Sequence, residues 1–217
     1  MLSNGQETNK VSTIKGKPRG YFQKVLAVDC ETTGLVVNVD DPSYNPKTKE
    51  EYQAISWGLV VADAETFKPI EKMYIEIQWN GVALWDNRAQ KIHGLSKEHL
   101  ATNGFTEAEA VEAMGTLIMK HWGPNVSIRL LGHNVATFDM WFLKRIFRRH
   151  NIDLTFGSRH IDTSSIGFVN WGTYSSDELF SMMGYEDRGK HNALDDALMS
   201  LESARVTRLL FNKCLEE

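Results

Sequence analysis

The 217-residue chain predicts an α/β domain in which helices flank a mixed central sheet. Three observations carry this. The front half holds apolar runs of strand character at 24–29, 54–63 and 72–79, rich in β-branched and aromatic residues. From residue 106 onward, helix-period segments alternate with short apolar runs, an order that belongs to layered α/β domains. The composition, 42% hydrophobic and 10% aromatic, is that of an ordinary globular protein and supplies a sizeable core.

Residues 1–20 are polar and lack apolar periodicity, so they read as a flexible leader; residues 21–217 then form a single domain. The basic "KGKPRG" at the end of this leader is a solubilising tail or a phosphate contact. "KVLAVD" (24–29) is a buried strand, followed over 36–53 by a long loop rich in turn formers. "AISWGLVVAD" (54–63) and "KMYIEIQW" (72–79) pair as an antiparallel hairpin. Segment 89–100 is a loop leading into a helix capped by Ser96. Thr106 and Glu109 form a capping box that starts a helix over 106–122. A strand over 127–134 and a helix over 137–152 follow. "HIDT" ends a short strand, a serine-capped helix covers 175–185, and the last helix runs over 191–212.

Net charge is −4, so no overall basicity advertises nucleic acid, although local patches can still bind it. "KRIFRRH" (144–150) is the densest basic cluster and reads first as a solvated helix face. Two cysteines, Cys30 and Cys214, make no disulfide framework, which points to a reducing, cytoplasmic setting. No run of the sequence approaches membrane-spanning length, so no membrane partner is expected.

The chemistry concentrates in three clusters. "DCETTGL" sets Asp29 and Glu31 two apart at the end of a strand, on one face. Two adjacent carboxylates repel unless a cation neutralises them, and hard oxygen ligands suit Mg²⁺ or Mn²⁺. Two solvated turn acids would give the same pattern. "HNVATFD" puts Asp139 in a helix's first turn, where the helix dipole also favours an acid. "HNALDDA" opens the last helix with His191, Asp195 and Asp196. The apolar positions 194, 197, 198 and 201 mark its buried face, and periodicity does not choose between the two acids.

Together, "DCETTGL", "IHGLS", "HNVATFD" and "HNALDDA" resemble, in order and over about residues 24–210, the motifs of the DnaQ-like (DEDDh) 3′→5′ exonucleases. That family includes proofreading exonucleases, ribonuclease T and oligoribonuclease. The resemblance implies a ribonuclease H-like fold and a metal-dependent 3′→5′ exonuclease acting on single-stranded or frayed 3′ ends of DNA or RNA. An exoribonuclease on short RNA is the alternative; a catalytically silent binding module is a third reading. By the same resemblance, Asp29, Glu31, Asp139 and Asp196 are catalytic ligands of two divalent cations, Mg²⁺ or Mn²⁺, and His191 is the general base. The family's histidine-to-aspartate spacing selects Asp196 over Asp195. Thr33, Gly34, Leu35, Ile92, His93, Asn134 and Phe138 match positions near the terminal nucleotide.

The partner implied is a nucleic acid with a free 3′ end; a homodimer and a replication or repair protein are further options. Arg188 and Lys190, beside His191 in a glycine-flanked loop, are candidate phosphate contacts, and Asp162 is a supporting acid. The loop bearing Trp171 offers a stacking surface for bases.

Overall fold

The computed structural model describes residues 23–35, 51–124, 126–185 and 190–216. The leader over 1–20, most of the 36–53 loop, and Arg188 lie outside the described residues. Strands β1 (Lys24–Thr32), β2 (Ala54–Asp63) and β3 (Pro69–Glu76) form an antiparallel meander. Helices α1 (Asn87–His93), α2 (Lys97–Asn103) and α3 (Glu107–Trp122) come next. They are followed by β4 (Leu130–Gly132), α4 (Asp139–Arg149), β5 (Ile161–Asp162), α5 (Thr163–Trp171), α6 (Ser176–Met182) and α7 (Ala193–Glu216). The sheet order is β3-β2-β1-β4-β5, with β4 and β5 parallel to β1, so the sheet is mixed as the sequence predicts.

Alternation along the strands divides the core into two layers. Leu26, Val28, Trp57, Leu59 and Ile75 face α3 and α4, meeting Met114, Ile118, Phe142 and Phe147. Val25, Ala27, Val60 and Ala62 face α7, meeting Ala197, Leu201 and Ala204. Both central strands are covered on both faces, which is why β2 is buried at nine of its ten positions.

Several elements differ from the sequence expectation. β3 begins three residues earlier than predicted, because Pro69 is tolerated on an edge strand where no neighbour needs its missing N–H. The strand expected over 127–134 contracts to Leu130–Gly132, with an isolated bridge at Ile128. The helix expected from 137 starts at Asp139, because Asn134 turns left-handed (φ 56°) and its carbonyl accepts from Thr137 and Phe138 N–H. The Ser96-capped helix appears as α2, whereas α1 and α5 were not predicted. α1 is capped by Asp86, α2 by Ser96, and α5 by Asp162, with Gly172 in the left-handed conformation closing α5. Trp171 is therefore the last residue of a helix and not a loop residue.

Candidate active site

The site grows from a mismatch in strand length. β1 runs to Thr32, but β4 pairs with it only at Leu26 and Ala27. Further along, among the described residues, no strand lies beside this edge of β1, and Asp139 from the first turn of α4 fills the gap. Its Oδ1 accepts the Cys30 N–H at 2.9 Å. Cys30 points into the α3–α4 layer, so its neighbours Asp29 and Glu31 point to the α7 side.

The start of α7 supplies the opposing wall. Asn192 Oδ1 accepts from Leu194 N–H at 3.0 Å and from Asp195 N–H at 3.3 Å, satisfying the first free amides of the helix. The helix then lies directly on β2 at Gly58, where a Cβ would stand 2.1 Å from the Ala193 carbonyl oxygen. This close approach fixes how far Asp196 sits from β1. One residue is 100° of helical turn, so Asp195 faces solvent while Asp196, 5% exposed, faces Glu31. The sequence pattern left these two acids undecided; packing separates them.

His191 is held by its own N–H to the Ile92 carbonyl at 3.2 Å. Its Nδ1 lies 3.4 Å from Asp196 Oδ2 and its Nε2 3.7 Å from Asp177 Oδ1. Glu31, His191 and Asp196 each offer one ligand atom, all within 4.8 Å of one another. Atoms on opposite sides of a cation bound at about 2.0–2.6 Å lie about 4–5 Å apart, so this group can bridge one ion.

These residues line a cavity of about 860 Å³ together with Asp29, Leu35, Ile92, His93, Asn134 and Phe138. Leu35 and Ile92 are exposed at its rim. Three sequence candidates do not line it. Asp139 is 2% exposed and sits behind Cys30. Thr33 is fully buried, and its Oγ1 accepts the Gln53 N–H at 2.9 Å. The space beside Gly34 is filled by the Tyr52 ring, 2.1 Å from where a Cβ would stand, and not left open to a ligand. Both residues shape the turn from inside.

The cavity also holds residues that the sequence reading missed. Asp86 caps α1 and receives Arg88 through a paired Nε and Nη2 contact at 2.9–3.2 Å. His133 Nε2 donates to the Tyr174 carbonyl at 2.8 Å, and Ser176 lies beside it. Asp86 was readable as a helix cap from its place before "NRAQ"; Asp177 and His133 carry no such local signal.

Electrostatics follow burial. Asp139 is pushed up to about 7, first by burial and also by the Glu31 charge, with the Cys30 hydrogen bonds pulling the other way. Burial, then the nearby acids led by Asp139, raise the Cys30 thiol well above its ordinary value. His93 is held near 4, chiefly by burial and then by Lys190 and His191; its Nδ1 accepts the Leu95 N–H at 3.0 Å. It is therefore neutral and carries its proton on Nε2. Most of the basic cluster of α4 has carboxylate partners, while Lys144 lies over the Trp141 and Phe156 rings. Arg145 meets Glu51, Arg148 meets Asp153, and Arg149 and His150 share Glu107.

Residues 26–203 match the RNase T family, described as exonuclease, and the chain belongs to that family. It is an enzyme of the exonuclease class, DnaQ-like in its motifs and in its helix-flanked mixed sheet. Among individual proteins, the Escherichia coli 3′–5′ DNA exonuclease Cap18 is 25% identical over 198 residues, covering 87% of this chain and 93% of the relative.

Solved structures of E. coli exonuclease I share the fold. A zinc-bound complex with single-stranded DNA aligns with TM-score 0.69 at 19% identity, covering 89% of this chain and 42% of the other. A complex with a dT13 oligonucleotide aligns at 0.67 and 17%, covering 90% and 43%. The chain thus spans about two-fifths of the exonuclease I length. No helix of the described residues is long and apolar enough to cross a membrane.

Proposed function

We propose that this protein is a 3′→5′ exonuclease that releases nucleoside 5′-monophosphates from single-stranded or frayed 3′ ends of DNA, with residues 21–217 as the catalytic domain. The observation that carries this is the convergence of Glu31, His191 and Asp196 within 4.8 Å, in one cavity with Asp29. The DNA named for Cap18 and for the exonuclease I complexes puts DNA ahead of short RNA as substrate. The free cysteines, one buried and one exposed, fit a cytoplasmic protein.

The donor set fits divalent cations. Asp29, Glu31, Asp139 and Asp196 would hold two ions, Mg²⁺ or Mn²⁺, with one oxygen of Asp139 already committed to Cys30. Such ions, when bound, neutralise the phosphate and lower the pKa of water. His191 takes the proton of the attacking water, and the imidazolium so formed lies between the Asp196 and Asp177 carboxylates. The water oxygen bonds to phosphorus as the bond to the 3′ oxygen breaks, and that oxygen leaves on the shortened strand. Leu35, Ile92 and Phe138 present apolar surface to the terminal base. His93, neutral and lining the cavity, would sit beside that base.

Digestion of 5′-labelled single-stranded DNA, duplex DNA and RNA with Mg²⁺ or Mn²⁺ tests this. A ladder shortening from the 3′ end, strongest on single-stranded DNA, is the expected result. Absence of mononucleotides from every substrate would overturn the reading.

A further inference from the structure

Beside the catalytic cavity, α5 and the turn that follows it each present one aromatic ring to solvent. Phe168 and Tyr174 stack with centroids 4.3 Å apart and planes 8° from parallel. They are 48% and 61% exposed, and Val169 next to them is 80% exposed. An aromatic pair normally stacks to leave water, yet this one keeps its outer faces open.

The turn is rigid. Gly172 takes the left-handed conformation, the Thr173 hydroxyl donates to Glu178, and Ser175 N–H donates to Thr173 Oγ1. The pair is also continuous with the site. The Tyr174 carbonyl accepts from His133, which lines the cavity, and Ser176, two residues on, lines it too. Two residues of chain span at most about 7 Å, roughly two stacked nucleotides. Trp171, the aromatic that the sequence singled out here, is instead partly buried against Leu179, Phe180 and Met199.

We propose that Phe168 and Tyr174 are a base-stacking platform for the substrate strand, holding nucleotides just inward of the 3′ end; this rests on the exonuclease reading above. The occupant follows from continuity with the catalytic cavity, while charge offers the strand little. The net charge is −4, and Arg145, Arg148, Arg149 and His150 of α4 are occupied by Glu51, Asp153 and Glu107. Stacking supplies affinity for a single strand without a basic groove, and every base has a face to offer. A duplex keeps its bases stacked inside, so the platform selects single-stranded or frayed ends.

The test is equilibrium binding in chelator of a ten-nucleotide and a two-nucleotide oligothymidylate, by competition anisotropy, at about 50 and 200 mM salt. Phe168→Ala with Tyr174→Ala should weaken the longer ligand on the order of tenfold and the dinucleotide less than about twofold. Phe168→Tyr and Tyr174→Phe should keep wild-type affinity. The affinity gained with length should respond to salt equally in wild type and double variant. Unchanged binding of the longer ligand would overturn the proposal and leave the rings for a protein partner; equal loss for both lengths would overturn it as well. If wild type released no nucleotides but showed ring-dependent, length-dependent binding, the nuclease reading would fail and the platform would stand.

Discussion

Replacing Asp139 by asparagine should stabilise the metal-free protein. The carboxylate is 2% exposed, and burial with the Glu31 charge raises it from an ordinary 3.8 to about 7. Asparagine keeps an oxygen for the Cys30 N–H and removes the charge. The unfolded acid ionises near 3.8 and the native one near 7, so between these values the native state holds a proton that the unfolded state has lost. Stability contributed here is therefore full below about 4, falls as pH rises, and is lost above about 7. Three pKa units correspond to at most about 4 kcal/mol. At about 2–4 °C per kcal/mol for a domain of this size, the variant should melt up to about 16 °C higher in chelator at pH 8. At pH 4 the two should coincide. Adding Mg²⁺ at pH 8 should raise wild type more than the variant. The measurement is a set of melting curves across pH with and without metal. Equal melting temperatures at pH 8 in chelator, or a difference independent of pH, would refute the reasoning.

Asp196→Asn should lower kcat by about 10² or more, while Asp195→Asn, on the solvent side of the same turn, should stay within about twofold; equal losses would show that α7 is rotated from the orientation described. His191→Ala should cost about 10²–10⁴ in kcat if it is the base, with KM little changed, in steady-state assays on a short oligonucleotide. Gly58→Ala forces a Cβ against the Ala193 carbonyl, so it should destabilise by about 1–3 kcal/mol and depress kcat by moving Asp196; denaturant curves and rates check both. Arg148→Ala with Arg149→Ala should leave DNA affinity within about twofold, because these cations already have carboxylate partners.

What could be read from the chain was whatever depends on local periodicity. The strand runs, the Thr106–Glu109 capping box and the one-face placement of Asp29 and Glu31 all follow from spacing and reappear in space. What could not be read depends on contacts between distant segments. That Gln53 and Tyr52, some twenty residues away, lie against Thr33 and Gly34 has no local signal in the sequence. Helix α5 shows little amphipathic signal, since its residues pack against α6 and α7 on one side and leave Phe168 and Val169 exposed on the other. Asp177 reaches His191 only because α6 folds back beneath the cavity, a placement no motif announces.

The arrangement of acids explains why the fold places so much covering on α7. Asp29 and Glu31 from β1, Asp139 from α4 and Asp196 from α7 approach one another from three elements, and each ionised pair resists that approach. Asp139 answers with a raised pKa and a backbone partner. Asp196 is carried by a helix that cannot retreat, because Ala193 lies against Gly58 while Ala197, Leu201 and Ala204 fill the space beneath the sheet. The small residues Gly58, Ala193, Ala197 and Ala204 let the helix axis come close, and the apolar contact offsets the repulsion of the charges above it. Enlarging Ala197 to leucine should therefore lift α7, lower the metal-free stability and weaken Mg²⁺ binding together. If titration calorimetry of Ala197→Leu showed wild-type metal affinity despite a lowered melting temperature, the height of α7 would not be what sets the site.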